Sequence, residues 1–271
     1  MVSGAVVVAP GLSAALFPPD CRLCGAPLRA ISRLPVCPNC LLAMTPITGE
    51  TCEICGDGVL GSTHNWGAAT HTMECAACQK EKPSFTKATA YGAYDGGLRE
   101  LIHLLKYERV EPAAGVLGTM LAEAIGKLQV SSKSLVVVPV PLYAGKRRER
   151  GFNQAELIAR KALKELTFDN AQLMIDALER TRPTASQIGL TRPQRRENIR
   201  GAFRVAHPNK IDGRDVLLLD DVFTTGTTAS ECACILLKAG AQNVWVATVA
   251  RTLKHQEALE IGPQFETAQA S

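Results

Sequence analysis

The chain has 271 residues, 46% of them hydrophobic and 21% charged, with ten cysteines and a net charge of +4. That length accommodates one large domain and a small one, and the composition is globular rather than disordered or fibrous. No run of eighteen apolar residues is present, which excludes a helical membrane span, and so small a net charge confines any basic surface to a local patch.

Residues 1–16 are apolar, carry no positive charge and are interrupted by Pro10-Gly11. They lack the basic start of a signal peptide and read as a short frayed segment packed on the protein. Eight cysteines then form four Cys-x-x-Cys pairs: Cys21/Cys24, Cys37/Cys40, Cys52/Cys55 and Cys75/Cys78. Two intervening residues let both thiolates of a pair reach one metal. Gaps of 12, 11 and 19 residues separate the pairs, which suits zinc-ribbon knuckles. Gly25 and Gly56 each follow a pair directly, where a knuckle turn favours a residue without a Cβ penalty. About two structural zinc ions are therefore expected. Sequential pairing is the expected arrangement, with interleaving left open. His64 and His71 are read as loop residues, since eight thiols already complete two sites. A redox enzyme would need one pair at a helix start, not four in a row. Metal thiolates imply a reducing, cytoplasmic setting. A module of this kind has almost no core of its own and is held by its metal. It is expected to end near Lys80–Phe85, giving a double zinc-ribbon module at 1–82 and a second domain at 83–271.

After the module comes an alternation of strands and helices, the pattern of an α/β protein with an open, mainly parallel sheet. Residues 88–94 read as a strand. Asp95 can cap a helix whose Leu98, Leu101, Ile102 and Leu105 recur at helical spacing. Residues 117–128 are a second helix, and 135–140 a buried strand ending in Pro-Val-Pro. Asn153 with Glu156 has capping-box spacing for a helix through Lys164. Extended segments are expected around Leu178 and at 202–205. Residues 216–219 form a strand, followed by a helix ending at Gly240, in which Cys232 reads as a buried, inert thiol. Residues 244–249 form the last strand, and the final twenty look frayed.

The most informative stretch is Val216-Leu-Leu-Leu-Asp-Asp-Val-Phe-Thr-Thr-Gly-Thr-Thr228. An apolar run reads as a buried parallel strand, and Asp220 and Asp221 follow at its carboxyl end. The turn Thr224-Thr225-Gly226-Thr227-Thr228 then opens a helix, with Thr228 and Glu231 at capping-box spacing. Ligands of open α/β sheets bind outside the carboxyl ends of the strands, and a helix N-terminus offers free N–H groups to a phosphate. The segment thus makes a phosphate cradle beside two acids that suit sugar hydroxyls or a metal. A tight turn capped by aspartate would explain neither the second acid nor the run of hydroxyls. The acids are expected to serve a ligand, not the fold.

Two basic clusters accompany it. Residues 146–150 (Lys-Arg-Arg-Glu-Arg) follow the Pro-Val-Pro strand end. Seven arginines lie between 180 and 204 against the single acid Glu197. That second stretch contains Pro183, Gly189 and Pro193, and reads mostly as loop. Arginine forks match phosphate oxygens, although a solvated charged face or a nucleic-acid contact would use the same residues.

The Asp-Asp, two residues, Thr-Thr-Gly-Thr-Thr pattern resembles the PRPP-binding motif of type I phosphoribosyltransferases. From about Pro18 to Thr252 the layout is similar to the ComF/ComFC (GntX-like) family of competence-associated proteins, a double zinc ribbon followed by a phosphoribosyltransferase-type domain. The carriers are the cysteine pairs, Leu101-Ile-His-Leu-Leu-Lys-Tyr107, Val138-Pro-Val-Pro141, Arg148-Glu-Arg-Gly-Phe-Asn-Gln154, the stretch Arg192…Arg195-Arg196…Asn198…Gly201-Ala-Phe203, and the PRPP motif. The resemblance implies that Asp220 and Asp221 hold ribose hydroxyls and that Thr224, Thr225, Gly226, Thr227 and Thr228 bind the 5′-phosphate. It also implies that the loop after Pro141, with Arg148 and Arg150, faces the pyrophosphate, with Mg²⁺ accompanying PRPP. Arg196 falls in the stretch, about 182–200, that would close over the reaction. Lys106 borders its helix's apolar stripe and either points at the site or extends to solvent. The implied activity is phosphoribosyl transfer to an unidentified nitrogen acceptor with release of pyrophosphate. The alternative is a non-catalytic accessory of natural transformation that binds single-stranded DNA, with PRPP or a nucleotide as regulatory ligand and DNA-uptake helicase machinery as partner.

Overall fold

The computed structural model describes residues 19–28, 32–59, 73–130, 132, 134–168, 170–185 and 189–253. Residues 1–16, His64, His71 and nearly all of the carboxyl-terminal tail lie outside that set. Two short helices, α1 (Pro38–Leu42) and α2 (Ala76–Lys80), belong to the cysteine module. There follow β1 (Lys87–Ala93), α3 (Gly96–Tyr107), α4 (Ala113–Leu128), β2 (Leu135–Pro139), α5 (Ala144–Arg150), α6 (Gln154–Glu165) and β3 (Ala171–Leu173). Next come β4 (Leu178–Arg180), α7 (Arg192–Ile199), β5 (Phe203–Val205), β6 (Asp215–Phe223), α8 (Thr227–Lys238) and β7 (Val244–Arg251).

Five strands form one parallel sheet in the order β1-β7-β6-β2-β3, and β4 and β5 pair antiparallel beside it. The expected parallel α/β architecture with an amino-terminal cysteine-rich module is present. Val216, Leu217, Leu218 and Leu219 are fully buried, each contributing about 1.5–3 kcal/mol by removal from water. Strand order reverses between β2 and β6. The chain continues outward to β3 from one and to β7 from the other, so their carboxyl ends flank a switch-point crevice.

Three expectations need correction. First, β6 does not stop at Leu219. Asp220 and Val222 stay in register with Thr248 and Ala250 of β7, so the strand runs through the acid pair to Phe223. Second, the 180–204 stretch contains the helix α7. Thr191 and Gln194 close a capping box around its start, and Pro193 occupies the first turn, where a missing N–H costs nothing. Third, the cluster 146–150 is itself helical, ended by Gly151 at φ +89.

The cysteine module straddles the sheet edge. Cys21, Leu28, Val36 and Met44 join the core on the α3–α4 face, while the second cysteine group and Phe85 join the core on the α8 face. Between them the module bonds edge strand β1. Ile47 N donates to Tyr91 O and Ala88 N to Ile54 O, both at 2.7 Å.

Candidate active site and metal centres

The four thiols Cys21, Cys24, Cys37 and Cys40 lie within 4.8 Å of one another, as do Cys52, Cys55, Cys75 and Cys78. Sulfur separations are 3.9 Å for Cys21–Cys40, 3.7 Å for Cys24–Cys37 and 3.6 Å for Cys55–Cys75. A tetrahedron with metal–sulfur bonds near 2.3 Å has edges of about 3.8 Å, so the sulfurs stand where zinc requires them. A hydrogen bond from Cys55 draws Cys52 down to about 4, and burial pushes Cys78 up to about 12. Such thiols cannot all ionise together unless a cation sits among them. These are two four-cysteine zinc-binding sites, paired sequentially.

The acid pair sits at the carboxyl edge of β6. Buried Leu98, Leu101, Ile102, Leu104 and Leu105 fix the rotation of α3 and bring Lys106 Nζ 2.8 Å from Asp221 Oδ1. Lys106 therefore points at the acids rather than to solvent, with its side chain 15% exposed. Burial pulls its ammonium down, but Asp221 more than restores it, and its pKa ends above the usual lysine range. Asp221 Oδ2 is buried and has no hydrogen-bond partner among the described residues. Asp220 Oδ1 accepts from Asp221 N at 2.9 Å. Burial and the neighbouring Asp221 carboxylate raise Asp220 to about 7.

Beyond the acids, Gly226 caps α8 at φ +74, and the hydroxyls of Thr225 and Thr227 are 2.8 Å apart. The expected Thr228–Glu231 box does not cap this helix; Glu231 Oε1 accepts instead from Gly201 N at 2.8 Å. Arg150 lies over Tyr107, the residue after Lys106, its guanidinium carbon 5.5 Å from the ring centroid, and donates to Gln154. Tyr107 is 67% exposed. Arg148 is exposed on α5. Arg196 flanks the threonine loop but pairs with Glu81 at 2.6 Å. A cavity of about 250 Å³ separates this loop from the second zinc site, lined by Cys78, Phe85, Arg196, Thr225 and Arg251 among others. The structure thus gathers Lys106, Asp220 and Asp221 directly, with the threonine loop following on the chain. Arg150 lies against Tyr107, next in the chain to Lys106, Arg196 lines the cavity beside the threonine loop, and Arg148 is not brought into contact with them among the described residues.

A family model described as a double zinc ribbon domain matches residues 12–79. Competence protein F of Haemophilus influenzae is 31% identical over 185 residues, which is 67% of this chain and 80% of that protein. DNA utilization protein YhgH of Shigella flexneri is 33% identical over 239 residues, 86% of this chain and 97% of that protein. The chain belongs to the ComF/ComFC family. Among solved structures, the allosteric regulatory enzyme of purine biosynthesis is similar over 51% of this chain and 25% of that chain, at 25% identity and TM-score 0.31.

Two arginines of this ComF/ComFC chain escape selection as site residues from sequence. Arg180 ends β4 with its guanidinium carbon 5.5 Å from the Phe203 ring centroid. Burial lowers its pKa, against the opposing pull of Asp220. Arg251 is buried at the end of β7. Arg180 is one of seven arginines in a run, and Arg251 one cation after an apolar strand. Nothing local distinguishes either, because its partners come from distant segments.

Proposed function

We propose that this ComF/ComFC chain binds PRPP with Mg²⁺ in the crevice between β2 and β6 and transfers the phosphoribosyl group to a nitrogen acceptor. Pyrophosphate leaves, and the reaction serves competence and DNA uptake in the cytoplasm. The observation that carries this reading is the cluster of Lys106, Asp221 and Asp220 at the head of the threonine loop. Asp221 Oδ2, buried and unpartnered among the described residues, and the raised Asp220 are groups that hydroxyl donors or a cation would satisfy. Residues and ligand therefore fit.

In this reading the free N–H groups at the start of α8 hold the 5′-phosphate, and Asp220 and Asp221 accept from the ribose hydroxyls. Lys106 holds the Asp221 carboxylate in place through its 2.8 Å contact. Arg148 and Arg150 draw the pyrophosphate, and Arg196 reaches it once released from Glu81. Asp220 and Asp221 are the residues that would hold Mg²⁺ accompanying PRPP, and the ion would supply charge neutralisation at the leaving group. The C1–O bond breaks with its electron pair going to pyrophosphate, the C1–N bond forms, and the acceptor's N–H proton leaves with the pyrophosphate. The positive charge developing at C1 is stabilised by the fixed acids, in a site from which water is excluded.

Screening pyrophosphate release from PRPP over free bases and single-stranded DNA, with and without Mg²⁺, tests the reading. Release that depends on Mg²⁺ and on one acceptor class is the expected result. A second reading, a non-catalytic single-stranded-DNA accessory, is favoured by the exposed Arg147, Arg148 and Arg200 and by relatives named for competence and DNA utilization. DNA binding without pyrophosphate release from any acceptor would support it over transfer.

A further inference from the structure

Arg251 ends β7 with its guanidinium inside the protein, the side chain only 3% exposed. One arm donates to the carbonyl of Cys55, a ligand of the second zinc site. The other pairs with Asp57 Oδ1 at 3.2 Å, an acid whose side chain is itself 4% exposed. The guanidinium carbon lies 5.1 Å from the centroid of the Phe223 ring.

Phe223 in turn braces the threonine loop. A Cβ built on Gly226 would come within 2.5 Å of Phe223 Cζ, so ring and loop backbone are already in contact. The knuckle is equally tight on its own side. Gly56 holds φ +70, and a Cβ there would lie 2.8 Å from Ala88 O and 3.4 Å from Arg251 Nη1. Metal ligand, guanidinium, ring and loop therefore form one unbroken run of contacts, and packed interiors transmit displacement because they have no slack.

We propose that Arg251 and Phe223 are positioning residues that couple the second zinc site to the threonine loop. Metal at Cys52/Cys55/Cys75/Cys78 and sugar phosphate at Thr224–Thr228 then stabilise one another. The inference rests on the sugar-phosphate reading of the loop given above. Zinc fixes the Cys55 backbone, Cys55 and Asp57 fix Arg251, Arg251 holds the Phe223 ring, and the ring sets how closely the loop can approach it. Coupling of this kind is reciprocal. The first zinc site packs on the opposite face of the sheet and serves as an internal control.

The test uses the full zinc-loaded chain, a chromogenic chelator to follow metal release, and calorimetry on the same sample to follow PRPP binding with Mg²⁺. Saturating PRPP should slow loss of one zinc equivalent by about 5-fold or more and leave the other unchanged. In Phe223→Leu, PRPP should bind more weakly and protection should fall towards none. Should that variant not fold, Arg251→Lys keeps a charge opposite Asp57 but lacks the fork that reaches the Cys55 carbonyl while stacking, and it should lose protection likewise. Binding heat with both zinc equivalents leaving at PRPP-independent rates would overturn the coupling alone. Protection undiminished in the folded variant would overturn it as well. Absence of binding heat would overturn the sugar-phosphate reading and the coupling with it.

Discussion

Asp220 and Asp221 are neighbours of one type in opposite circumstances. Asp221 has Lys106 at 2.8 Å, while Asp220 is raised to about 7 by burial and by Asp221. Because its folded pKa exceeds the unfolded value near 3.9, the folded state retains a proton that the unfolded chain releases first. Stability should therefore fall as pH rises from about 4 to about 7, by at most ~1.4 kcal/mol per unit, and then level off. Asp220→Asn removes that loss. In urea unfolding the variant should gain on wild type between pH 5 and 7, a difference in which the zinc sites' own acid sensitivity cancels. A constant difference across that window would contradict the raised proton affinity. Asp221→Asn should do the reverse, because it strands a nearly buried ammonium at a cost of about 3–5 kcal/mol. Its melting temperature should drop even without ligand, which revises the expectation that both acids serve a ligand alone. The motif makes the acid pair legible in sequence. The lysine that divides the pair's roles lies 115 positions away and can be placed from sequence only as bordering an apolar stripe.

At the scale of elements, α7 shows what local reading can misjudge. Pro193 and the charge run point to loop, yet Thr191 and Gln194 carry a helix-start signature that outweighs the proline. The strand–helix alternation from β1 to β7 is legible because hydrophobic periodicity is local. The reach of β6 through two acids is not, because register with β7 decides it. The cap predicts that Thr191→Ala costs about 1 kcal/mol of α7 stability, read as faster amide exchange along 192–199. Arg196 is tied to Glu81 by an ion pair whose side chains are 45% and 52% exposed. Pairs so exposed contribute under about 1 kcal/mol, so Arg196 is readily released. Glu81→Gln should leave the melting temperature almost unchanged and strengthen PRPP binding in calorimetry, whereas Arg196→Ala should weaken it. Weaker binding in Glu81→Gln would mean that the pair is a strut rather than a latch.

For the whole molecule, two zinc ions per chain should appear in elemental analysis, and a strong chelator should cost far more than the module's own structure. The module bonds the outer edge of β1 through Ile47 and Ile54. Stripped of metal, it would release a sheet edge of a kind that templates intermolecular pairing. Light scattering should therefore rise on chelation, before any ligand is considered. Soluble, monomeric apo-protein with an unchanged melting temperature would show that the module is an appendage.

That edge also has a history during synthesis. β1 pairs in the finished sheet with β7, and 150 residues separate them along the chain. At 5–20 residues per second, β1 emerges from the ribosome roughly 8–30 s before its sheet partner exists. All eight zinc ligands precede β1, so the module can load its metal and fold while β1 is still without β7. A nascent chain starved of zinc would carry that strand bare through the whole interval. The metal would then act as a chaperone built into the order of translation, and zinc supply during synthesis, rather than afterwards, would set how much protein survives.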